Sequence, residues 1–212
     1  RCLSRGLGDV YKRQFLDSGD YERLGSVIRV NPPVRKAKDK AAIWDALQSG
    51  VVDMIATDHA PHTPEEKTND IIWNADCGFP GVETQMPLML SEVVEGRMTL
   101  EHYVRISSAN PARAFGMWPD KGRISVGALA DIAALDMARE EVITSGRLHS
   151  RAKITPFEGK KTIGAPLHTI VRGKFVQRNR QLVQGMAGHG RQVTDIQKTV
   201  SYTHLRAHET SI

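Results

Sequence analysis

The chain is poor in cysteine and in aromatic residues, and it contains no long apolar run. It has two cysteines in 212 residues. Cys2 lies in an N-terminal stretch of odd composition, so Cys77 stands alone in the body. A single cysteine builds no disulfide framework, which fits a cytoplasmic enzyme. No apolar run approaches the roughly 18 residues of a spanning helix, and no signal peptide is visible, so a membrane is not an expected partner. Acidic residues are outnumbered, and the formal charge is +5. Arg1, Arg5, Lys12 and Arg13 against Asp9 place +3 of it within residues 1–14. Arg206 and Glu209 cancel within residues 201–212. The body has no basic helix or stripe, and the Arg and Lys residues from 172 to 191 lack interleaved aromatics. Nucleic acid is therefore not an expected partner either.

Both ends read as foreign. Residues 1–14 show no clear period, and residues 201–212 are unrelated to anything before them. Each has the look of stray translated adapter sequence and is set outside the fold. What remains can bury one large core or two modest ones.

Residues 52–67 organise the rest. Val52-Asp53-Met54-Ile55-Ala56 is a short apolar run of the kind that forms a buried strand. It ends in Thr57, Asp58, His59 and His62. An acid and two imidazoles at the mouth of a buried strand are costly unless they bind something. A helix start follows: Thr63 caps, Pro64 suits the first helical position, and Glu66 completes a capping box. Asp58 and His62 are thus held between a strand end and a helix N-terminus.

Upstream, residues 26–30 read as a strand that Asn31-Pro32-Pro33 stops. Residues 36–49 read as a helix with Ala42, Ile43, Ala46 and Leu47 on one face. Strand, helix and strand within about 32 residues predict a parallel βαβ unit. Downstream, residues 67–81 read as a loop and residues 83–95 as a helix with Met86, Leu90, Val93 and Val94 as core contacts. Thr99 caps another helix, and Asn110-Pro111 opens a third with Asn110 at the cap. After Trp118-Pro119, short β-type runs at 123–126, 131–135, 167–171 and 174–178 predict a small β-domain.

The string Thr57-Asp58-His59-Ala60-Pro61-His62, with Glu65-Glu66-Lys67 after it, resembles the signature of dihydroorotases, in the cyclic-amide branch of the metal-dependent amidohydrolases. Asn31-Pro32-Pro33-Val34-Arg35 and Gly78-Phe79-Pro80-Gly81-Val82-Glu83-Thr84 are similar to two further segments of that family. The match runs on through Asn110-Pro111-Ala112-Arg113 and Gly127-Ala128-Leu129-Ala130-Asp131 to about Val183. The resemblance implies an α/β fold: residues 15–117 as the last βα units of a (β/α)8 barrel, and residues 118–200 as part of a small β-sandwich.

It also implies zinc, one or two ions in the full-length enzyme. Asp58 is implied as metal ligand and proton shuttle, with His59 in a supporting role. Asn31 and His62 match substrate-binding positions, and Cys77-Gly78 falls where backbone groups hold the substrate ring. The family often carries an aromatic at the position of Cys77, so that contact is less well specified, and Cys77 also reads as a small apolar filler. His102, His149, His168 and His189 lack metal-ligand spacing and read as surface or structural. The implied partner is a small cyclic imide, dihydroorotate first, with self-association left open. Two other readings stand beside it: a hydantoinase or allantoinase, and a catalytically dead homologue that serves as a structural partner.

Overall fold

The structure, a computed structural model, describes residues 10–191 and residue 193. Its first part is helical. Helix α1 (Val10–Phe15) leads into a 3-10 turn (Ser18–Asp20), the short α2 (Tyr21–Leu24) and a 3-10 turn (Gly25–Ile28). Then come α3 (Ala37–Gln48), α4 (Pro64–Lys67), α5 (Gln85–Val94), α6 (Leu100–Val104) and α7 (Asn110–Ala114). A four-stranded antiparallel sheet follows, in the order β1 (Ile132–Val142), β2 (Lys161–Val171), β3 (Lys174–Arg178), β4 (Gln181–Leu182).

Residues 26–30 and 52–57, expected as parallel strands, form no β-ladder among the described residues. The apolar pattern reported burial correctly: Ile28, Val30 and Ile55 are all buried. Periodicity reports burial, whereas a strand also needs a neighbour for its amides. Here the Arg29 amide turns back to the Ser26 carbonyl at 3.0 Å, and the Ile55 amide donates to Ile106 O at 3.2 Å. Residues 123–126 likewise form no strand.

Two apolar clusters meet across α5. Met89 and Leu90 join Trp44, Leu47, Ile55, Met98, Tyr103 and Ile106. Leu88 joins Leu16, Ile28, Val30, Val34, Phe79, Ile143 and Phe157. Three consecutive buried residues on one helix contribute on the order of 1.5–3 kcal/mol each, so α5 is a central pillar. Ala42 and Val94, expected in the core, are exposed, and Trp44 and Met89 take those roles. Asn110 is not a cap. A π-helical turn (Arg105–Ala109) carries the chain straight into α7, and the Asn110 side-chain amide instead donates to Asp53 O.

The sheet follows three of the four expected β-runs, those at 131–135, 167–171 and 174–178, with β1 and β2 longer than their sequence signals. Arg172-Gly173 closes the β2–β3 hairpin with both residues at positive φ, 49° and 78°, which suits the right-handed twist of its strands. The sheet rests on α5 through one close approach. Gly164 has φ +95°, and a Cβ there would lie 2.7 Å from Leu90 Cβ. Ser91 fixes the register, because its hydroxyl accepts from the Ile163 amide at 2.8 Å.

Gly164→Ala should therefore cost both a positive-φ penalty of about 1–2 kcal/mol and overpacking of about 1–3 kcal/mol. Gly127→Ala, at φ +89° with open space around it, should cost the first alone. Urea midpoints of the two variants check the difference, and equal losses would mean that the α5–sheet contact relaxes freely.

Candidate active site

The site is built on irregular backbone. Asp58 takes φ 44°, the left-handed region that a non-glycine residue enters only when its surroundings enforce it. Two residues on, Ala60 donates its amide to Phe79 O at 3.3 Å. Gly78 packs against the same residue, and a Cβ on it would stand 2.5 Å from Ala60 Cβ. At φ 117° and in that contact, position 78 requires glycine. The segment around Asp58 and the segment around Gly78 are thus locked backbone to backbone.

The helix start holds as expected. The Thr63 hydroxyl accepts from the Glu66 amide at 3.3 Å, and Glu66 Oε2 accepts from the Thr63 amide at 2.8 Å. This capping box opens a helix of only four residues, α4.

Asp58 has a side chain 46% exposed and faces a cation, the ammonium of Lys12. Lys12 Nζ donates to Asp58 O at 2.7 Å and to Asp58 Oδ2 at 3.2 Å, and it lies 4.5 Å from the Phe79 ring centroid. Lys12 belongs to α1, in the segment the sequence sets outside the fold. That helix packs beside α3, where Trp44 Nε1 donates to Gln14 O at 2.9 Å. The Gln14 side-chain amide is buried with no hydrogen-bond partner among the described residues, an unfavourable arrangement.

His59 Nδ1 accepts from the amides of Gly81 and Val82, at 3.1 and 3.3 Å. That leaves its proton on Nε2 and makes the ring a brace for the 81–82 turn. His62 Nε2 lies 3.1 Å from Cys77 O, and its Nδ1 lies 3.6 and 3.7 Å from carboxylate oxygens of Glu66 and Asp76. These three are the one group among the described residues with mutual distances suited to a metal. Asp58 is not part of it, and Glu66 is already committed to the capping box.

Asn31 is exposed, two residues past Arg29, whose carbonyl accepts the Gly78 amide at 2.9 Å. Cys77 is a free, exposed thiol. With the Cys77 carbonyl facing His62 and the Gly78 amide bonded to Arg29, the Cys77 amide and the Gly78 carbonyl are the backbone groups left there without a partner among the described residues. The segments bearing Asn31, Asp58, His62 and Gly78 are therefore brought together by backbone contacts.

Sequence reasoning assigned no role to Lys67. It is wholly buried, and its ammonium donates to Arg29 O and Asp76 O, both at 2.6 Å. Burial pulls its pKa down to about 8. The available signal was its place at the end of a very short capped helix, where a long side chain can fold back. The four other histidines among the described residues have partners of their own: His102 with Arg105, His149 with Glu83, His168 with the Asn179 amide and His189 with Val171 O.

A cavity of about 910 Å³ lies between the sheet and the 82–87 segment, lined by Glu83, Ile143, Ala165, Thr169 and Val176 among others. It reaches His59 but not Asp58, Asn31 or His62. Its ionisable groups are paired with one another, Glu83 with His149 and Glu141 with Arg147 and Arg180.

Residues 26–176 match the model of the amidohydrolase family. Among curated proteins, the dihydroorotase of Methanosphaera stadtmanae is 40% identical over 168 residues, covering 79% of this chain and 38% of that protein. The L-hydantoinase of Paenarthrobacter aurescens is 36% identical over 187 residues, covering 85% of this chain and 40% of that protein. Among solved structures, the L-hydantoinase (dihydropyrimidinase) from Arthrobacter aurescens superposes with a TM-score of 0.79 at 34% identity, over 82% of this chain and 39% of that one. The chain thus spans about two fifths of the length of the relatives it matches, and across that span it belongs, in sequence and in its α/β fold, to the amidohydrolase family.

Proposed function

We propose that the chain is the C-terminal portion of a dihydroorotase, a cytoplasmic hydrolase that opens dihydroorotate to N-carbamoyl-aspartate in pyrimidine biosynthesis. The observation that carries this reading is Asp58. Its carboxylate, 46% exposed, projects from a left-handed backbone locked against the loop that His62 contacts. In the reaction, Asp58 takes the proton of the attacking water and returns it to the leaving amide nitrogen. His62 donates to the substrate carboxylate, and Asn31 offers donor and acceptor groups to the amide edge. The Cys77 amide and Gly78 carbonyl complete the cradle of the ring. Several dihydroorotases among the relatives, each near 40% identical, support the assignment.

The proposed cofactor is zinc, which at a catalytic centre takes three protein ligands and a water. At Asp58 the described residues supply one ligand, and the His62, Glu66 and Asp76 group does not include it, so the Asp58 site does not fit a zinc centre by itself. The remaining ligands belong, in this proposal, to the part of the full-length protein that this chain does not span. We further propose that residues 1–14 and 201–212 are foreign flanks, and that residues 15–117 and 118–200 are the barrel and β-sandwich portions. The unpartnered Gln14 amide supports the first of these boundaries. On that view the Lys12 ammonium stands where a metal cation would balance Asp58.

A hydantoinase is the second reading, supported by the L-hydantoinase match in both sequence and structure. Such enzymes act on uncharged cyclic imides, and His62 is the discriminating residue. In the full-length protein, His62→Ala should weaken turnover of dihydroorotate by roughly 1.5–3 kcal/mol, the worth of a charged hydrogen bond, and leave an uncharged imide nearly unaffected. Equal losses on both substrates would favour the hydantoinase.

Asp58→Asn in the same protein should keep the fold and lower turnover by about 10²–10⁴ or more. Activity within tenfold of the parent would remove Asp58 from the reaction. The 212-residue chain by itself should retain no stoichiometric zinc and hydrolyse no dihydroorotate. Metal analysis and a dihydroorotate assay on soluble monomer check this, and zinc that disappears with Asp58→Ala would show that the ligands lie within this chain.

A further inference from the structure

We propose that Lys67 is a positioning residue of this site: its buried ammonium ties the backbone behind Asn31 to the backbone leading into Cys77 and Gly78, and so sets the spacing of the groups that grip the ring. The inference rests on the functional reading above. Lys67 Nζ lies 2.6 Å from Arg29 O and 2.6 Å from Asp76 O. Arg29 O is shared, since it also accepts the Gly78 amide at 2.9 Å. One carbonyl, two residues before Asn31, therefore holds both the lysine and the glycine of the ring cradle.

Neighbouring contacts share the same spacing. Arg29 reaches across to donate to Trp73 O at 2.7 Å and to Ala75 O. The Asp76 amide donates to Glu66 O at 3.0 Å, beside the lysine in sequence. His62 closes the circuit on Cys77 O at 3.1 Å. The 68–81 loop has only one 3-10 turn of its own (Ile72–Asn74), so these cross-links determine where its end lies.

Lysine suits the position for a definite reason. Two carbonyls from separate segments approach one point, and an ammonium carries three donors on a stem long enough to reach it from α4. Nothing in fold stability calls for this group. Its direct partners are neutral carbonyls, not a carboxylate, and a wholly buried charge paired that way is expensive. Costly buried polar groups of this kind concentrate at functional sites.

The test uses Lys67→Met in the full-length protein, which keeps the stem and removes the donors. Hydrogen exchange should show the Gly78 and Asp76 amides losing at least tenfold in protection, while α5 amides are unchanged. On whichever cyclic imide the parent hydrolyses, KM should rise at least tenfold, with kcat changing less than threefold and bound metal unaltered. Unchanged Gly78 exchange would overturn the tie itself. Lost protection with an unchanged KM would leave Lys67 a purely structural residue and overturn its positioning role. Loss of metal together with kcat would also overturn it, because Lys67 would then act through the whole fold. A parent that hydrolyses dihydroorotate poorly and a hydantoin well would instead overturn the dihydroorotase reading while the Lys67 measurement proceeds on the hydantoin.

Discussion

Three stretches of backbone that belong to no helix or sheet must satisfy one another for the site to exist. Residues 29–31, 58–62 and 75–81 carry amides and carbonyls without a helix or sheet to pair them, and where they are buried, as at Val30, Ala75 and residues 78–81, each orphan would cost about 1–3 kcal/mol. They are paired across segments: Gly78 to Arg29, Ala60 to Phe79, and the amides of Gly81 and Val82 to the His59 ring. The close Gly78–Ala60 contact makes this exchange possible, because any side chain at 78 would drive the two segments apart. Phe79, fully buried in the same stretch, anchors it into the cluster that Leu88 of α5 shares.

From that constraint the outer layers follow. α5 presents buried residues to two clusters, one behind the site and one toward α3 and α6. The sheet comes down on α5 through Gly164 and Ser91. A second tie links the site loop to the sheet side of the molecule. Glu83, one residue past the turn that His59 braces, accepts from the His149 amide at 2.8 Å and also contacts the His149 ring. The pairing is exposed and contributes little to stability, but it fixes the direction in which the loop leaves the site.

Much of this was legible in the sequence where the physics is local. The Thr63–Glu66 box, the helix of residues 37–48 and the β2–β3 hairpin rest on neighbouring residues alone, and each forms. Burial was legible too, since Ile28, Val30 and Ile55 lie inside as their apolar runs require. The ladders were not legible, because a strand is a relation between segments and an apolar run does not carry its partner with it. Asn110 failed for a similar reason. Asparagine before proline signals a cap, but the Asp53 carbonyl claimed the side chain and the helix ran through.

The site residues divide along the same line. Asp58 and His62 stand out because acid and imidazole at the end of an apolar run contradict their surroundings, and that contradiction can be read locally. Lys67 does so only weakly, because its place at the end of a short capped helix lets the side chain fold back but does not say what it meets. Only the return of the 68–81 loop over it, with Asp76 O and Arg29 O converging on one ammonium, turns it inward. Its depressed pKa has a determinate sign for stability. Between about pH 8 and the ordinary lysine value, the unfolded chain holds a proton that the folded chain has released. Within that window this group makes the fold more stable as pH rises, and below it the cost of burying the charge is carried in full. The chain bears that cost at neutral pH, and what it obtains is a fixed distance between two loops that no helix or strand connects.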